Sequence, residues 1–374
     1  MKITSIKLRR LRVIEDVGVL DLAWSPGDQL PVQIGGGAYV EVETDEGLKG
    51  IGPEIDDRFL PALDKHLLGK DPLQVEQLSA MIEYYMPSGT HYFHIAGVDI
   101  ALWDLFGKIK GQPLYKLWGS DKDKIVPYAA MVLLSTPEER AEMALRLKDE
   151  GWQALKLRLH HESMKEDLRT VSLVREAVGD EMKIMVDANQ AQSKGDWQPG
   201  VRWDYQRAYE TGLELQQLGC VWLEEPRPRY AFDELTKLGE ALDIPIAGGE
   251  NSAVLYEFEE MCRRNVYSIL QPECLVLTGI TETLRVGEIA RRYNKQIVPH
   301  NGYVKLGLIA HMHMVASWPH SPYIELVNDP PIGAYQNFLS ILVDHPVVDE
   351  EGFMALPQLP GLGVEINPDL ILED

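Results

Sequence analysis

Three carboxylates follow three successive β-rich runs in this chain of 374 residues. Asp187 ends the run KIMVD, Glu224 ends CVWLE and Glu250 ends IPIAGGE. Neighbouring parallel strands bring their C-terminal ends to one edge of a sheet, so these carboxylates can converge on a cation. A set of oxygen ligands without cysteine or clustered histidine selects Mg²⁺ over zinc. Taken singly, each carboxylate could instead pair with a rim lysine or arginine; their regular placement favours the metal.

Four other β-rich runs also end in charged or titratable side chains. Lys156 and Arg158 are two residues apart in ALKLRL and so share one side of that strand. Glu273, His300 and Glu325 end three later runs. An ionisable group at the end of an apolar strand is costly unless it faces an open mouth. Seven consecutive runs deliver such a group, which indicates a functional site at one rim.

The elements that position these residues recur at a near-regular period. Eight β-rich runs begin near residues 126, 154, 183, 220, 244, 267, 296 and 322, and each but the last precedes an amphipathic helical pattern. This pattern predicts a (β/α) barrel, with an eight-stranded doubly wound sheet as the alternative. The longest step carries the insertion AQSKGDWQPGVRW at 191–203, which is predicted to lie on the functional face.

The residues before the first barrel strand have a mixed α+β pattern. ITSIKLRRLRVI has strand character, and AYVEVETDEGLKGIG predicts two strands around a turn. Apolar spacing predicts a helix over 95–111 that stops at Gly111. Residues 17–33 form a long segment with Gly, Pro and an isolated Trp24, so we interpret them as either a disordered loop or a lid over substrate.

Composition excludes several functional classes. Lys and Arg number 36 against 58 Asp and Glu, a net charge of −22. Phosphate backbones and anionic lipids would repel such a surface, so neither nucleic acid nor membrane is expected as a partner. Charges interrupt every apolar run of the N-terminus, and no run approaches the roughly 20 apolar residues of a membrane span. Three widely spaced cysteines argue against a disulfide framework. We therefore expect a cytoplasmic protein.

Several motifs, in this order, resemble a known family. VDANQ, WLEEP, AGGE, ILQPE with TGIT, and VPHNGY end successive strands, while VETDEGLKGIG and PGLGVEI lie near the two termini. The sequence resembles the enolase superfamily, mandelate racemase subgroup, over essentially its full length. The resemblance implies a modified (β/α)₇β TIM-type barrel at 126–330, under an α+β capping domain at 1–125 that segment 331–374 completes. It also implies a homo-oligomer, with Mg²⁺ on the three carboxylates and proton abstraction α to a carboxylate.

Two positions depart from the pattern of that subgroup. Its second strand commonly carries Lys-x-Lys, where this chain has Lys156-Leu-Arg158, and its sixth commonly ends Gln-Pro-Asp, where this chain has Gln-Pro-Glu273. A guanidinium stays protonated and makes a poor general base. His300, whose ordinary pKa lies near working pH, is then the best base, and Glu273 can hold its tautomer. A structural histidine is the alternative interpretation of His300.

One strong base favours a reaction on one face of the α-carbon. We predict dehydration of a sugar acid to a 2-keto-3-deoxy acid, with Lys156 on the substrate carboxylate, Arg158 clamping a carboxylate or the enediolate and Glu325 nearby. A racemase or epimerase using Lys156 as a second base, and a non-catalytic binding protein on the same fold, are the alternatives.

Four further histidines carry weaker signals. His160 and His161 follow the second barrel strand, where a solvated loop is a better interpretation than substrate contact. His311 and His313 are two residues apart on a helical pattern, so they should face apart and cannot share a metal.

Overall fold

The computed structural model describes residues 1–86, 95–192, 200–302 and 305–373. Most of the insertion predicted at 191–203 lies outside these ranges, because residues 193–199 fall in a gap. The described chain contains an N-terminal α+β unit and an eight-stranded parallel sheet with helices around it. Among the described residues, no helix is long and apolar enough to cross a bilayer.

The N-terminal unit contains a three-stranded antiparallel sheet packed against a helix. Its strands and helices are β1 (Ile3–Arg10), β2 (Val13–Asp21), β3 (Gln29–Gly35), β4 (Ala38–Thr44), β5 (Lys49–Pro53), α1 (Leu60–Leu67), α2 (Val75–Tyr85), α3 (Ala96–Lys110) and α4 (Leu114–Leu117). The sheet has the order β1-β4-β5. Helix α3 is the one predicted over 95–111, and it ends at Gly111 with φ 68°. A Cβ on Gly52 would lie 1.9 Å from the Gly97 carbonyl oxygen, so glycine permits the close approach of β5 and α3.

The segment 17–33 is mostly a β-hairpin, which corrects the sequence interpretation of a loop. Strands β2 and β3 pair antiparallel, and the turn between them is closed by the Asp28 N–H donating to the Ser25 carbonyl. One face of the hairpin packs Leu20 and Val32 into a buried cluster with Val132 and Val327 of the barrel. This long-range burial favours strands, although Gly18 and Pro31 weaken the local strand pattern.

The eight predicted barrel strands are all present. Barrel strands one to eight follow the short strand β6 (Lys124–Ile125) and are β7 (Pro127–Ala130), β8 (Ala154–Arg158), β9 (Lys183–Asp187), β10 (Leu223–Glu224), β11 (Ile246–Gly248), β12 (Ile269–Leu270), β13 (Gln296–Ile297) and β14 (Ile324–Val327). The helices are α5 (Pro137–Asp149), α6 (Met164–Val178), α7 (Tyr205–Gln217), α8 (Phe232–Ala241), α9 (Leu255–Arg263), α10 (Ile280–Arg292), α11 (Leu306–Ser317) and α12 (Tyr335–Leu339), and β15 (Met354–Ala355) pairs with β6.

Strand order and interior packing confirm the barrel over the doubly wound alternative. The order runs without reversal from β13 to β7, and β14 then pairs with β7 in parallel. A doubly wound sheet reverses its order at a switch point. Buried side chains on seven consecutive strands, or on the residue next to the strand, join a single interior cluster: Tyr128, Ala130, Ala154, Met185, Trp222, Ala247, Ile269 and Val298. Side chains from strands that are far apart in the strand order meet in one cluster only when the sheet is curled.

The C-terminal segment returns to the N-terminal unit, as the resemblance implies. Leu11 forms an isolated antiparallel bridge with Ile371. The Leu362 N–H donates to Asp104 Oδ1 on α3 at 2.8 Å. The domain boundaries at residues 125 and 330 stay a prediction.

Asp99, on α3 of the N-terminal unit, caps the N-terminus of the barrel helix α10. The N-cap position of α10 is Gly279, which has no side chain to offer, and Asp99 Oδ2 accepts the Thr281 N–H at 3.0 Å instead. Asp99 Oδ1 also accepts the Thr281 hydroxyl at 2.6 Å. Burial raises the pKa of Asp99 from 3.8 to about 6. Its stabilising contribution is therefore fully present below pH 3.8 and is lost as the pH rises through 6.

We expect Asp99→Ala to lower the free energy of unfolding by about 2–3 kcal/mol, because a buried N–H and a buried hydroxyl lose their acceptor. The loss should be about 1 kcal/mol larger at pH 5.5 than at pH 8, which denaturant titrations at the two pH values would measure. The control is Asp204→Ala, which removes a local N-cap from α7 and should cost only about 1 kcal/mol. An equal cost for both changes at pH 8 would contradict the special role of Asp99.

Candidate active site

Strand pairing aligns three predicted site residues at the C-terminal end of the barrel. Arg158 on β8 pairs with Asp187 on β9, and Asp187 pairs with Glu224 on β10. Neighbouring strands lie about 4.8 Å apart, so these charged side chains stand in a row. Glu250 follows β11 by two residues and completes the predicted carboxylate set.

The three predicted metal ligands converge. One oxygen from each of Asp187, Glu224 and Glu250 lies within 4.8 Å of the other two. Glu250 Oε2 is buried and has no hydrogen-bond partner in the described part of the chain. Burial and the Glu224 carboxylate raise the pKa of Asp187 to about 8. A divalent cation would bind the oxygen that accepts no hydrogen bond and offset this repulsion, so the residues present fit Mg²⁺.

Lys156 is a fully buried ammonium that bridges two carboxylates. Its Nζ lies 2.7 Å from Glu224 Oε1 and 2.7 Å from Glu325 Oε1, with Asp187 Oδ2 at 3.6 Å. Burial acts to lower the pKa of Lys156, but Glu224 and Glu325 together raise it well above its ordinary value. The side chain is thus held as a cation, which makes it a poor proton acceptor.

Arg158 is joined to a predicted metal ligand and to the N-terminal unit. Its Nη1 donates to Asp187 Oδ2 at 2.5 Å and to Asn189 Oδ1 at 2.9 Å. Its guanidinium carbon lies 5.2 Å from the ring centre of Trp24, in the turn between β2 and β3. The hairpin therefore reaches the mouth of the barrel. Sequence reasoning noted Asn189 only within the VDANQ motif and missed this contact.

His300 and Glu273 form the predicted pair. His300 Nδ1 lies 3.1 Å from Glu273 Oε2, so the additional methylene of Glu relative to Asp does not prevent the contact. His300 Nε2 lies 3.5 Å from Glu250 Oε2 and so faces the carboxylate cluster. Although burial acts to lower it, the carboxylates of Glu250 and Glu273 raise the pKa of His300 to about 10. A cation bound to Glu250 would offset that carboxylate and lower the pKa again.

Glu325 lies between Lys156 and the turn after β13. Besides the Lys156 contact, its Oε2 accepts the backbone N–H of Asn301 at 3.0 Å. Burial acts to raise the pKa of Glu325, but Lys156 and then His300 lower it to about 2. The group is consequently a carboxylate in this structure.

Two polar side chains that sequence reasoning missed orient Glu224. Trp222 Nε1 donates to Glu224 Oε2 at 3.0 Å, and Gln271 Nε2 donates to the same oxygen at 2.7 Å. Gln271 belongs to the QPE motif at the end of β12, which was the available signal. Both bonds go to Oε2, and the other oxygen of Glu224, Oε1, accepts from Lys156 Nζ.

His160 and His161 lie at the predicted turn after β8. The His161 backbone N–H donates to Asp167 Oδ1 at 3.0 Å, and its ring Nε2 lies 3.3 Å from Thr170 Oγ1. Asp167 and Thr170 both belong to α6. These contacts hold the loop against α6, whereas the sequence interpretation was a solvated loop.

Comparisons with known proteins identify the class and then the family. Residues 139–370 match the enolase C-terminal domain-like family, and residues 32–119 match the N-terminal domain of mandelate racemase / muconate lactonizing enzyme. The carboxylates at the C-terminal strand ends lie on the face where barrel enzymes carry their active sites. The chain belongs to the enolase superfamily, in the mandelate racemase and muconate lactonizing enzyme family.

Similar proteins include two dehydratases with curated names. The arabinonate dehydratase of Saccharolobus solfataricus is 29% identical over 89% of each chain. The L-talarate/galactarate dehydratase of Salmonella typhimurium is 27% identical over 87% of this chain and 79% of its own. A crystal structure of D-glucarate dehydratase from Agrobacterium tumefaciens, complexed with magnesium, is 26% identical over 100% of both chains, with a TM-score of 0.84.

Proposed function

We propose that this protein is a Mg²⁺-dependent dehydratase that converts a sugar acid to a 2-keto-3-deoxy acid. The observation that carries the proposal is the distribution of bases and cations at the rim. Among the described residues there, His300 is the side chain suited to accept a proton, because a cation on Glu250 would offset the carboxylate that raises the pKa of this histidine. Lys156 and Arg158 are both held as cations by carboxylates. The dehydratase names of the relatives support the same reaction class.

Asp187, Glu224 and Glu250 would hold the Mg²⁺, whose charge stabilises negative charge on the substrate carboxylate as it develops. His300 Nε2 takes the α-proton, and Glu273 on Nδ1 stabilises the imidazolium that results. The imidazolium then gives this proton to the β-hydroxyl, the C–O bond breaks and water leaves. The remaining enol takes a proton at C3 and loses the proton of its C2 hydroxyl, which gives the 2-keto-3-deoxy acid.

Lys156 and Glu325 are proposed to act on the substrate carboxylate. The Lys156 ammonium would bind a carboxylate oxygen, and Glu325 would hold the ammonium in place through the 2.7 Å contact. Arg158 would contribute positive charge without accepting a proton. Assembly into a homo-oligomer and a cytoplasmic location remain predictions.

The alternative racemase needs a second base on the other face of the α-carbon. Lys156 was the candidate, but its Nζ touches two carboxylates and its pKa is raised well above the ordinary value. Deprotonating it at neutral pH would be costly, which favours elimination over racemisation.

A screen of mono- and diacid sugars with Mg²⁺ tests the proposal. We expect a 2-keto acid from at least one sugar acid, with deuterium at C3 when the reaction is run in D₂O. Exchange of the α-hydrogen in both epimers without keto acid would show a racemase. Mg²⁺ binding without exchange on any acid would show a binding protein.

A further inference from the structure

His311 is a fully buried histidine that contacts the turn carrying Glu273. It lies on α11, the helix after the seventh barrel strand, and its side chain is 0% exposed. Its Nε2 accepts the backbone N–H of Cys274 at 3.1 Å and lies 3.6 Å from Glu273 Oε1. Its Nδ1 lies 3.3 Å from the Oδ1 of Asn301.

The hydrogen bonds define the tautomer of this imidazole. A backbone N–H can only donate, so the Nε2 of His311 must be the unprotonated nitrogen. The proton is then on Nδ1, which donates to Asn301. Burial lowers the pKa of His311, in agreement with a neutral ring.

Asn301 extends this link to the eighth strand. Its side-chain amide donates to the Glu325 carbonyl oxygen at 3.2 Å, which orients Oδ1 toward His311. Its backbone N–H donates to Glu325 Oε2 at 3.0 Å. Asn301 also directly follows His300. One imidazole therefore connects the ends of three strands that carry Glu273, His300 and Glu325.

We propose that His311 is a positioning residue. It holds the Glu273–His300 pair and Glu325 at the relative positions needed for the dehydration proposed above, on which this inference rests. It acts without touching substrate. The sixth-strand turn is held through the Cys274 N–H, and the seventh and eighth strand ends are held through Asn301. Misplacement of a reacting group by about 1 Å can cost 10²-fold in rate, so such a link has catalytic consequences.

A second metal site at Glu273, Cys274 and His311 is the competing interpretation of these side chains, since their ligand atoms lie within 4.8 Å of one another. The Cys274 N–H occupies the lone pair of His311 Nε2. Burial and Glu273 also raise the pKa of the Cys274 thiol well above its ordinary value, so the thiol stays protonated. The positioning role fits this chemistry better.

His313 provides a matched control on the same helix. It is also fully buried, but its Nε2 lies 3.0 Å from the Leu362 carbonyl oxygen and its Nδ1 accepts the Tyr115 N–H at 3.3 Å. Both partners lie away from the strand ends, in α4 and the C-terminal segment. Its replacement should therefore affect stability without affecting the catalytic pair.

The test replaces each histidine by glutamine, asparagine and leucine. In His311→Gln, the amide oxygen reaches the Nε2 position and keeps an acceptor for Cys274. In His311→Asn, the amide nitrogen reaches the Nδ1 position and keeps a donor for Asn301. We expect each to lower kcat about tenfold and His311→Leu to lower it about 100-fold, with KM changed less than twofold. The matching His313 variants should lower Tm by a similar amount and keep kcat within twofold of the parent.

Each outcome decides one question. Equal losses of kcat in the His311 and His313 series, or parent kcat in His311→Leu, would overturn the positioning role. ¹⁵N NMR of the histidine rings gives a readout without substrate: we expect His311 as the neutral Nδ1–H tautomer, and an Nε2–H tautomer would overturn the inference. If the parent turns over no sugar acid, the proposed function fails, whereas the NMR result still tests the hydrogen-bond link.

Discussion

Replacing His300 with asparagine is expected to lower kcat for dehydration by roughly 10³-fold, because the reaction loses its general base. Exchange of the substrate α-hydrogen with D₂O should fall by the same factor, since proton removal and elimination share this side chain. Keto-acid formation and NMR of the recovered substrate measure the two effects.

Asparagine keeps a polar side chain of similar size next to Glu273, so folding and Mg²⁺ binding should survive the change. The control is His320→Asn, because His320 lies before the eighth strand and its Nε2 bonds the Gly287 carbonyl on α10. Its kcat should equal that of the parent. Undiminished α-hydrogen exchange in His300→Asn would mean that another group takes the proton.

Removal of the divalent cation should abolish turnover, and addition of Mg²⁺ should restore it. Without the cation, three converging carboxylates hold the negative charge that otherwise attracts it, and an enediolate beside them would be strongly disfavoured. Glu250→Gln should weaken Mg²⁺ binding by about 100-fold or more, because it removes one of three anionic ligands. Calorimetric titration of the chelated protein measures this affinity.

Glu288→Gln, an exposed change on α10, serves as the charge-matched control and should leave Mg²⁺ affinity unchanged. Full turnover after exhaustive chelation would exclude a role for the cation. Parent-like Mg²⁺ affinity in Glu250→Gln would remove Glu250 from the ligand set while leaving the His300 prediction intact.

The hairpin of residues 13–35 illustrates a limit of local pattern reading. Gly18 and Pro31 interrupt the alternation of its strands, and the sequence interpretation was a loop. The strands form because Leu20 and Val32 pack against Val132 and Val327, which are at least 100 residues away in the sequence. Distant burial of this kind leaves no local signal.

Strand ends were the most predictable part of the site. The sequence alone determined the eight-strand period, the order of charged residues along it and the convergence of Asp187, Glu224 and Glu250. The physical reason is that a parallel barrel sends every C-terminal strand end to the same rim, so position along the chain translates directly into position in space.

Only the tertiary structure decided which charged groups touch. Lys156 and Glu325 are far apart in sequence and meet because β14 closes against β7. Helical spacing predicts that His311 and His313 face apart, and it cannot say which one faces Glu273, because that depends on how α11 rotates as it docks on the barrel. Side-chain partners of this kind are set by packing between segments that are distant in the sequence, and the order of residues along the chain does not predict that packing.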